Sequence, residues 1–217
     1  MLEPSATRIR SLLARSYLFT NVELVVNAFL VNTGTKLILI DTGTGTSKMF
    51  RLFPNAIVRA DVRETDHYLN RSKMEAAPAD DKEDFESAMA MFKPYVTANR
   101  FKSFDGETQL VAGVRAVPAR GHTPGHMIYV VESGKERLVV WGDLMHVAAV
   151  EFAQPSVTVP YDFDAKKAAQ ERRYKFADAA KQGYYVAAAH VAFPGIGKLR
   201  AEGQGVAWVP IGYIVGK

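Results

Sequence analysis

Three apolar runs in this chain each stop on a side chain able to hold a cation. VRAVPARG leads to His122, RLVVWG to Asp143 and YYVAAA to His190. A ligand fixed where a strand ends takes its direction from the sheet, while the following loop leaves room for a substrate. Nitrogen and oxygen donors of this kind suit zinc, iron, manganese or cobalt. A single histidine after a strand is more often a packed or capped residue; three such endings on strongly apolar runs point to a shared centre. In ARGHTPGHM a Thr-Pro-Gly turn separates His122 from His126. His126 is expected to brace that turn, with a ring nitrogen on a backbone carbonyl. His146, three residues after Asp143, is expected to line the cavity. Cysteine is absent, which removes thiol nucleophiles, disulfides and thiolate zinc sites together.

The elements that must position these groups can be read from apolar patterning. VELVVNAFLV (22–31) and KLILID (36–41) read as strands joined by a hairpin turn at NTGT. KLILID is continuously apolar, as expected of a strand covered on both faces. DTGTGTS (41–47) lacks the third glycine and following helix of a dinucleotide loop and reads as a turn. AIVRAD (56–61) reads as a short strand, RETDHYLNRS and 81–95 as helices. ETQLVAGVRAVPA, HMIYVVES and ERLVVWGD form a strand-rich block with a hairpin turn at SGKE. Residues 164–183 give the clearest helix: Asp164 caps it, Gly183 ends it, and Ala168, Arg172, Phe176 and Ala180 share one stripe. YYVAAAH and GVAWVPIGYIV complete the strands. With no repeat or linker, residues 1–217 read as a single α/β domain.

Composition narrows the partners. A 217-residue chain with 48% hydrophobic residues can bury a sizeable core. Net charge is +4, but the 27 basic residues are interspersed with 23 acidic ones. Even the densest cluster, ERRYK, falls in a helix that reads as solvated, so no nucleic-acid partner is expected. No apolar stretch reaches membrane-spanning length, and the first residues lack the continuous apolar core of a signal peptide. The expectation is a soluble protein with no membrane partner, in the cytoplasm or the periplasm.

DTG after an apolar strand, then GHTPGH, WGDLMH and AAAHVAFPG in that order, resemble the metallo-β-lactamase superfamily. FLVNTGTKLILIDTG, FPNAIVRAD, FADAAKQGY and FPGIGKLRAEG are most similar to its methyl parathion hydrolase and lactonase branch. The resemblance runs from about residue 5 to residue 215. It implies an αββα sandwich of two mixed sheets with outer helices, and two divalent metal ions, typically zinc, at one edge. The implied chemistry is hydrolysis of a small ester, lactone or phosphotriester by a metal-activated hydroxide, since cations bring the pKa of water towards neutrality. By position His122, Asp143 and His190 match metal ligands, with Asp143 also the catalytic carboxylate between the metals. Asp41 and His126 match residues that stand behind the ligands and orient them. Tyr68 and Phe85, with His146, match the lining of the substrate pocket.

The superfamily's HxHxDH motif does not occur in this sequence. DTGTGTSKMFRLFPNA passes directly from one of its flanks to the other, so the fold is expected to lack a strand–helix portion near 46–53, as well as the N-terminal strands. Two protein ligands per metal, one of them shared, fall short of the three a catalytic zinc takes. Asp66-His67 in RETDHYLN is the one local mimic of the missing motif; its alternative is a solvated helix face. Two readings follow: a metal-dependent hydrolase with an impaired centre, or a non-catalytic remnant of the fold that serves as a binding or interaction module. The unpaired strand edges imply lowered stability or association, such as a homodimer that covers them.

Overall fold

The computed structural model describes residues 5–41 and 52–212. The helices are α1 (Ala6–Arg15), α2 (Val62–Tyr68), α3 (Arg71–Ala76), α4 (Lys82–Thr97), α5 (Ala148–Glu151) and α6 (Ala165–Gln182). The strands are β1 (Phe29–Asn32), β2 (Leu37–Ile40), β3 (Thr108–Val111), β4 (Val114–Pro118), β5 (Met127–Ser133), β6 (Glu136–Val140), β7 (Tyr185–Ala187), β8 (Ile196–Glu202) and β9 (Gly205–Pro210).

β3 to β9 form one seven-stranded sheet in sequential order. Every neighbour pair is antiparallel except β6–β7, which is parallel. A parallel pair needs a long crossover, and α6 supplies it. The helix follows its sequence signals. The Asp164 side chain accepts from the Lys167 N–H at 2.9 Å, and Gly183, at φ 68°, ends it in the left-handed region.

Alternation along the strands sorts side chains to two faces. Val139 and Val186 join Trp141, Leu199 and Val206 in a core with Phe176 and Ala179 of α6. Their neighbours Val140 and Ala187 pack on the other side against Ile40, Phe29, Val31 and Ile38 of the β1–β2 hairpin. The layers are helix, sheet and hairpin. α1 closes one end through Leu12 and Leu13 against Val150. No helix among the described residues is long and apolar enough to cross a membrane.

Three expectations change. The run 22–31 yields a strand only from Phe29, because its first half is tied elsewhere. Asn27 donates to the carbonyls of Ala188, Ala189 and Val191 at 3.3, 3.0 and 2.7 Å, and the Val25 carbonyl meets the His190 ring. KLILID is covered on one face: Ile40 is buried, while Leu37 is 68% exposed. Residues 56–61 make no strand, only parallel bridges from Val58 to Phe101 and from Asp61 to Phe104. The turn after Asp41, and most of the junction near 46–53, lie outside the described residues.

Candidate metal centre

The topology itself gathers the strand endings. β5 is antiparallel to both β4 and β6, and β6 is parallel to β7, so β4, β6 and β7 run the same way. Their C-terminal ends open on one edge of the sheet, and His122, Asp143 and His190 follow those ends. The Asp143 carboxylate is the meeting point. Its Oδ1 lies 2.8 Å from His190 Nε2, and its Oδ2 lies 3.5 Å from His122 Nε2.

The far side of each ring is anchored. His190 Nδ1 donates to the Val25 carbonyl at 2.7 Å. His122 Nδ1 faces Asp162 Oδ1 at 3.1 Å, and the Asp162 side chain is buried. His126 Nδ1 donates to the Ala119 carbonyl at 2.8 Å, which leaves its Nε2 to accept from the Asp143 backbone N–H at 3.1 Å. His126 thus braces the turn and also fixes the Asp143 backbone. The turn has a second anchor in Glu64 of α2, which accepts from the Thr123 hydroxyl and, at 3.0 Å, from the Gly125 N–H.

Electrostatics follow from these contacts. Burial alone would lower the His122 pKa, but the Asp143 and Asp162 carboxylates outweigh it and hold it up at about 9. His190 is raised in the same way, against burial, by Asp143 and the Val25 carbonyl. Burial would raise Asp143, yet the two imidazoles keep it well below the usual carboxylate range. His126 is pushed down by burial, and His146 by burial and the His122 charge, to about 3.

This donor set fits a divalent cation. With both Nδ1 atoms committed, His122 and His190 turn Nε2 towards the same carboxylate. Each Nε2 either carries the proton that its raised pKa favours or, once deprotonated, offers a lone pair there. Lone pairs facing a carboxylate need a proton or a cation between them. Among the described residues, His122, Asp143 and His146 bring one ligand atom each to within 4.8 Å of one another.

A cavity of about 340 Å³ adjoins the centre. Ile40, Phe92, Phe101 and Tyr129 line its apolar part, and His122, His126 and Asp143 its polar end. Asp143 is 36% exposed and so reachable from it. Asp41 and Tyr68 are on its wall. Phe85 is not: it is buried behind Tyr68, with ring centroids 5.4 Å apart. His146 does not line the cavity either; it is buried with its ring centroid 4.8 Å from that of His122. Asp66 is exposed, and His67 packs among Tyr68, Phe85 and Phe163, so neither reaches the centre.

Comparison with known proteins follows the same lines. No family model matches the chain, and no curated protein matches it. Among solved structures it is similar to AbOPH, a hydrolase in the beta lactamase superfamily, with a TM-score of 0.88 and 26% identity over 98% of this chain and 89% of that one. The chain has the metallo-β-lactamase fold. It shares that fold with AidC, a dizinc quorum-quenching lactonase (TM-score 0.85, 21% identity, 98% of this chain and 88% of that one). A probable metal-dependent hydrolase from Staphylococcus aureus matches more loosely, at a TM-score of 0.53 and 20% identity over 75% of this chain and 55% of that one.

Within this metallo-β-lactamase fold, sequence reasoning missed Asp162, Glu64 and the Val25 carbonyl. Asp162 is brought in by backbone pairing: the Phe163 and Asp164 N–H groups donate to the His122 and Gly121 carbonyls at 3.0 and 2.8 Å. The nearby sequence signal was spent on Asp164 as the helix cap. A carbonyl such as that of Val25 carries no sequence signal at all.

Proposed function

We propose that this chain is a metal-dependent hydrolase of the metallo-β-lactamase superfamily acting on a small lactone, ester or phosphotriester. The observation that carries the reading is the meeting of His122, Asp143 and His190 at the ends of parallel-running strands, around one shared carboxylate. The hydrolase and lactonase activities named for the similar structures support it. A divalent cation bound there supplies Lewis acidity, which polarises a substrate oxygen and eases loss of a proton from water. The protein's part is orientation. Asp162 and the Val25 carbonyl fix the rings of His122 and His190, and His126 fixes the Asp143 backbone. The cavity volume lies within the range of small-molecule sites, with Phe92 and Phe101 on the wall that would receive the apolar part of the substrate.

The lack of an HxHxDH motif supports a second reading, a binding module that no longer turns over substrate. Metal analysis of the purified chain, paired with lactone and aryl phosphotriester assays, separates the two. Bound metal, with turnover abolished by Asp143→Ala, supports the hydrolase. A chain that turns over neither substrate when supplied with zinc, manganese or cobalt overturns it.

A further inference from the structure

We infer that His146 completes a mononuclear centre, so that the chain holds one divalent cation on His122, Asp143 and His146, with His190 as a positioning residue. The inference rests on the cation-binding reading above and extends it to the number of cations and the identity of the third ligand.

His146 is 3% exposed, and its Nδ1 is buried without a hydrogen-bond partner. A polar ring atom at that depth calls for a counterpart. The ring is held rather than loose. It stacks on His190 at 4.9 Å with an interplanar angle of 24°, and Tyr161 meets it edge-on at 5.3 Å. Its backbone N–H donates to Glu151 Oε2 at 2.6 Å. A ring nitrogen of His146 lies within 4.8 Å of a ring nitrogen of His122 and of a carboxylate oxygen of Asp143. Two imidazoles and one carboxylate meet the three-ligand requirement of a catalytic zinc and leave a coordination position open.

The same geometry argues against a second cation. Among the described residues no other group of three ligand atoms gathers here, and the nearby His190 has its Nε2 within hydrogen-bond distance of Asp143 Oδ1. That contact occupies one carboxylate oxygen and turns the other, Oδ2, towards His122 Nε2. His190 then orients the ligand, as outer groups do around metal sites.

Zinc-free full-length chain, titrated with Zn²⁺ by calorimetry and with Co²⁺ by visible absorption, tests this. One equivalent per chain is expected. His146→Phe should weaken binding by about 100-fold or more, whereas His190→Gln, which keeps a donor for Asp143, should stay within about tenfold. Should His146→Phe fail to fold, imidazole ¹⁵N shifts in the wild-type chain give the same answer: zinc should move the His122 and His146 signals most. Two equivalents, unchanged affinity in a folded His146→Phe variant, or an unmoved His146 signal overturns the inference while leaving the hydrolase proposal intact. One equivalent that depends on His146, with no ester turnover, sustains the inference and sinks the hydrolase instead. Failure to bind any metal overturns both.

Discussion

Arg172 tests what holds the loop that carries Asp143 and His146. Its side chain is fully buried, and its guanidinium faces Glu151 at 2.9 Å as an ion pair outside hydrogen-bond alignment. It donates to the Leu144 carbonyl at 2.8 Å and also to the Val157 carbonyl. Glu151 in turn accepts from the His146 and Val147 N–H groups. Arg172→Met leaves a buried carboxylate without its cation, a change worth about 3–5 kcal/mol. For a chain of this size that lowers Tm by about 6–20 °C. Urea unfolding followed by circular dichroism measures it. Two double variants separate charge from capping. Arg172→Met with Glu151→Gln keeps a carbonyl acceptor for both N–H groups and should recover most of the loss. Arg172→Met with Glu151→Leu leaves those donors unpaired and should recover less, by about 1–3 kcal/mol for each buried donor left unmade. A loss below about 1 kcal/mol for Arg172→Met, or equal recovery by the two double variants, refutes the reasoning.

Gly121 has φ 139°, and a Cβ there would lie 2.2 Å from the Ala168 backbone nitrogen, so Gly121→Ala should push α6 away from His122. A loss of at least about 1–3 kcal/mol in a urea melt, with weakened zinc binding, is expected. Asp61 is buried and accepts from the Arg63 and Gly106 N–H groups at 2.9 and 2.8 Å; burial opposes its ionisation, but these bonds and the Arg63 guanidinium win and lower its pKa. Its folded pKa being below its unfolded one, its contribution is present above about pH 4 and fades as pH falls through the folded value, so Asp61→Asn should flatten the acid limb of a Tm-against-pH curve. Leu37 and Leu30 are 68% and 64% exposed on the hairpin, and Leu37→Lys should reduce self-association in light scattering at rising concentration. Excess zinc at about 100 times its dissociation constant should stabilise the wild-type chain by about 2.7 kcal/mol, and a chelator should reverse this.

The seven-stranded sheet was legible because its strands are bounded by turn residues and its crossover helix carries both end signals. The same regularity exposed His122, Asp143 and His190, which stand where periodic runs stop. The hairpin layer was less legible. The composition of 22–28 favours a strand, but Asn27 and Val25 bond to the loop around His190, a preference set by tertiary contacts that periodicity cannot express. Residues 56–61 fail as a strand for a related reason: Asp61 is engaged by the start of α2 and by Gly106, and the segment makes only isolated bridges. Asp162 and His146 were hidden differently. Their roles depend on which face of a loop turns inward, and Glu151 and the backbone bonds from Phe163 and Asp164 to His122 and Gly121 decide that.

The centre's rigidity therefore has two separate sources, and they need not fail together. The direction of His122, Asp143 and His190 comes from β4, β6 and β7; β6 and β7 are packed between α6 and the hairpin, and β4 buries Ala116 against Phe104 and Met127. The position of His146 comes from Glu151 and Arg172, on helices that pack behind the sheet. A perturbation at Arg172 should loosen His146 while the contacts of Asp143 with His122 and His190 survive. Perturbing Gly121 should displace His122 and spare His146. Measured together, zinc affinity and the imidazole ¹⁵N shifts of the two variants should differ in which ring they release. Equal disturbance of all the rings in both variants would mean that the centre moves as one unit, and that the loop and strand contributions are not separable.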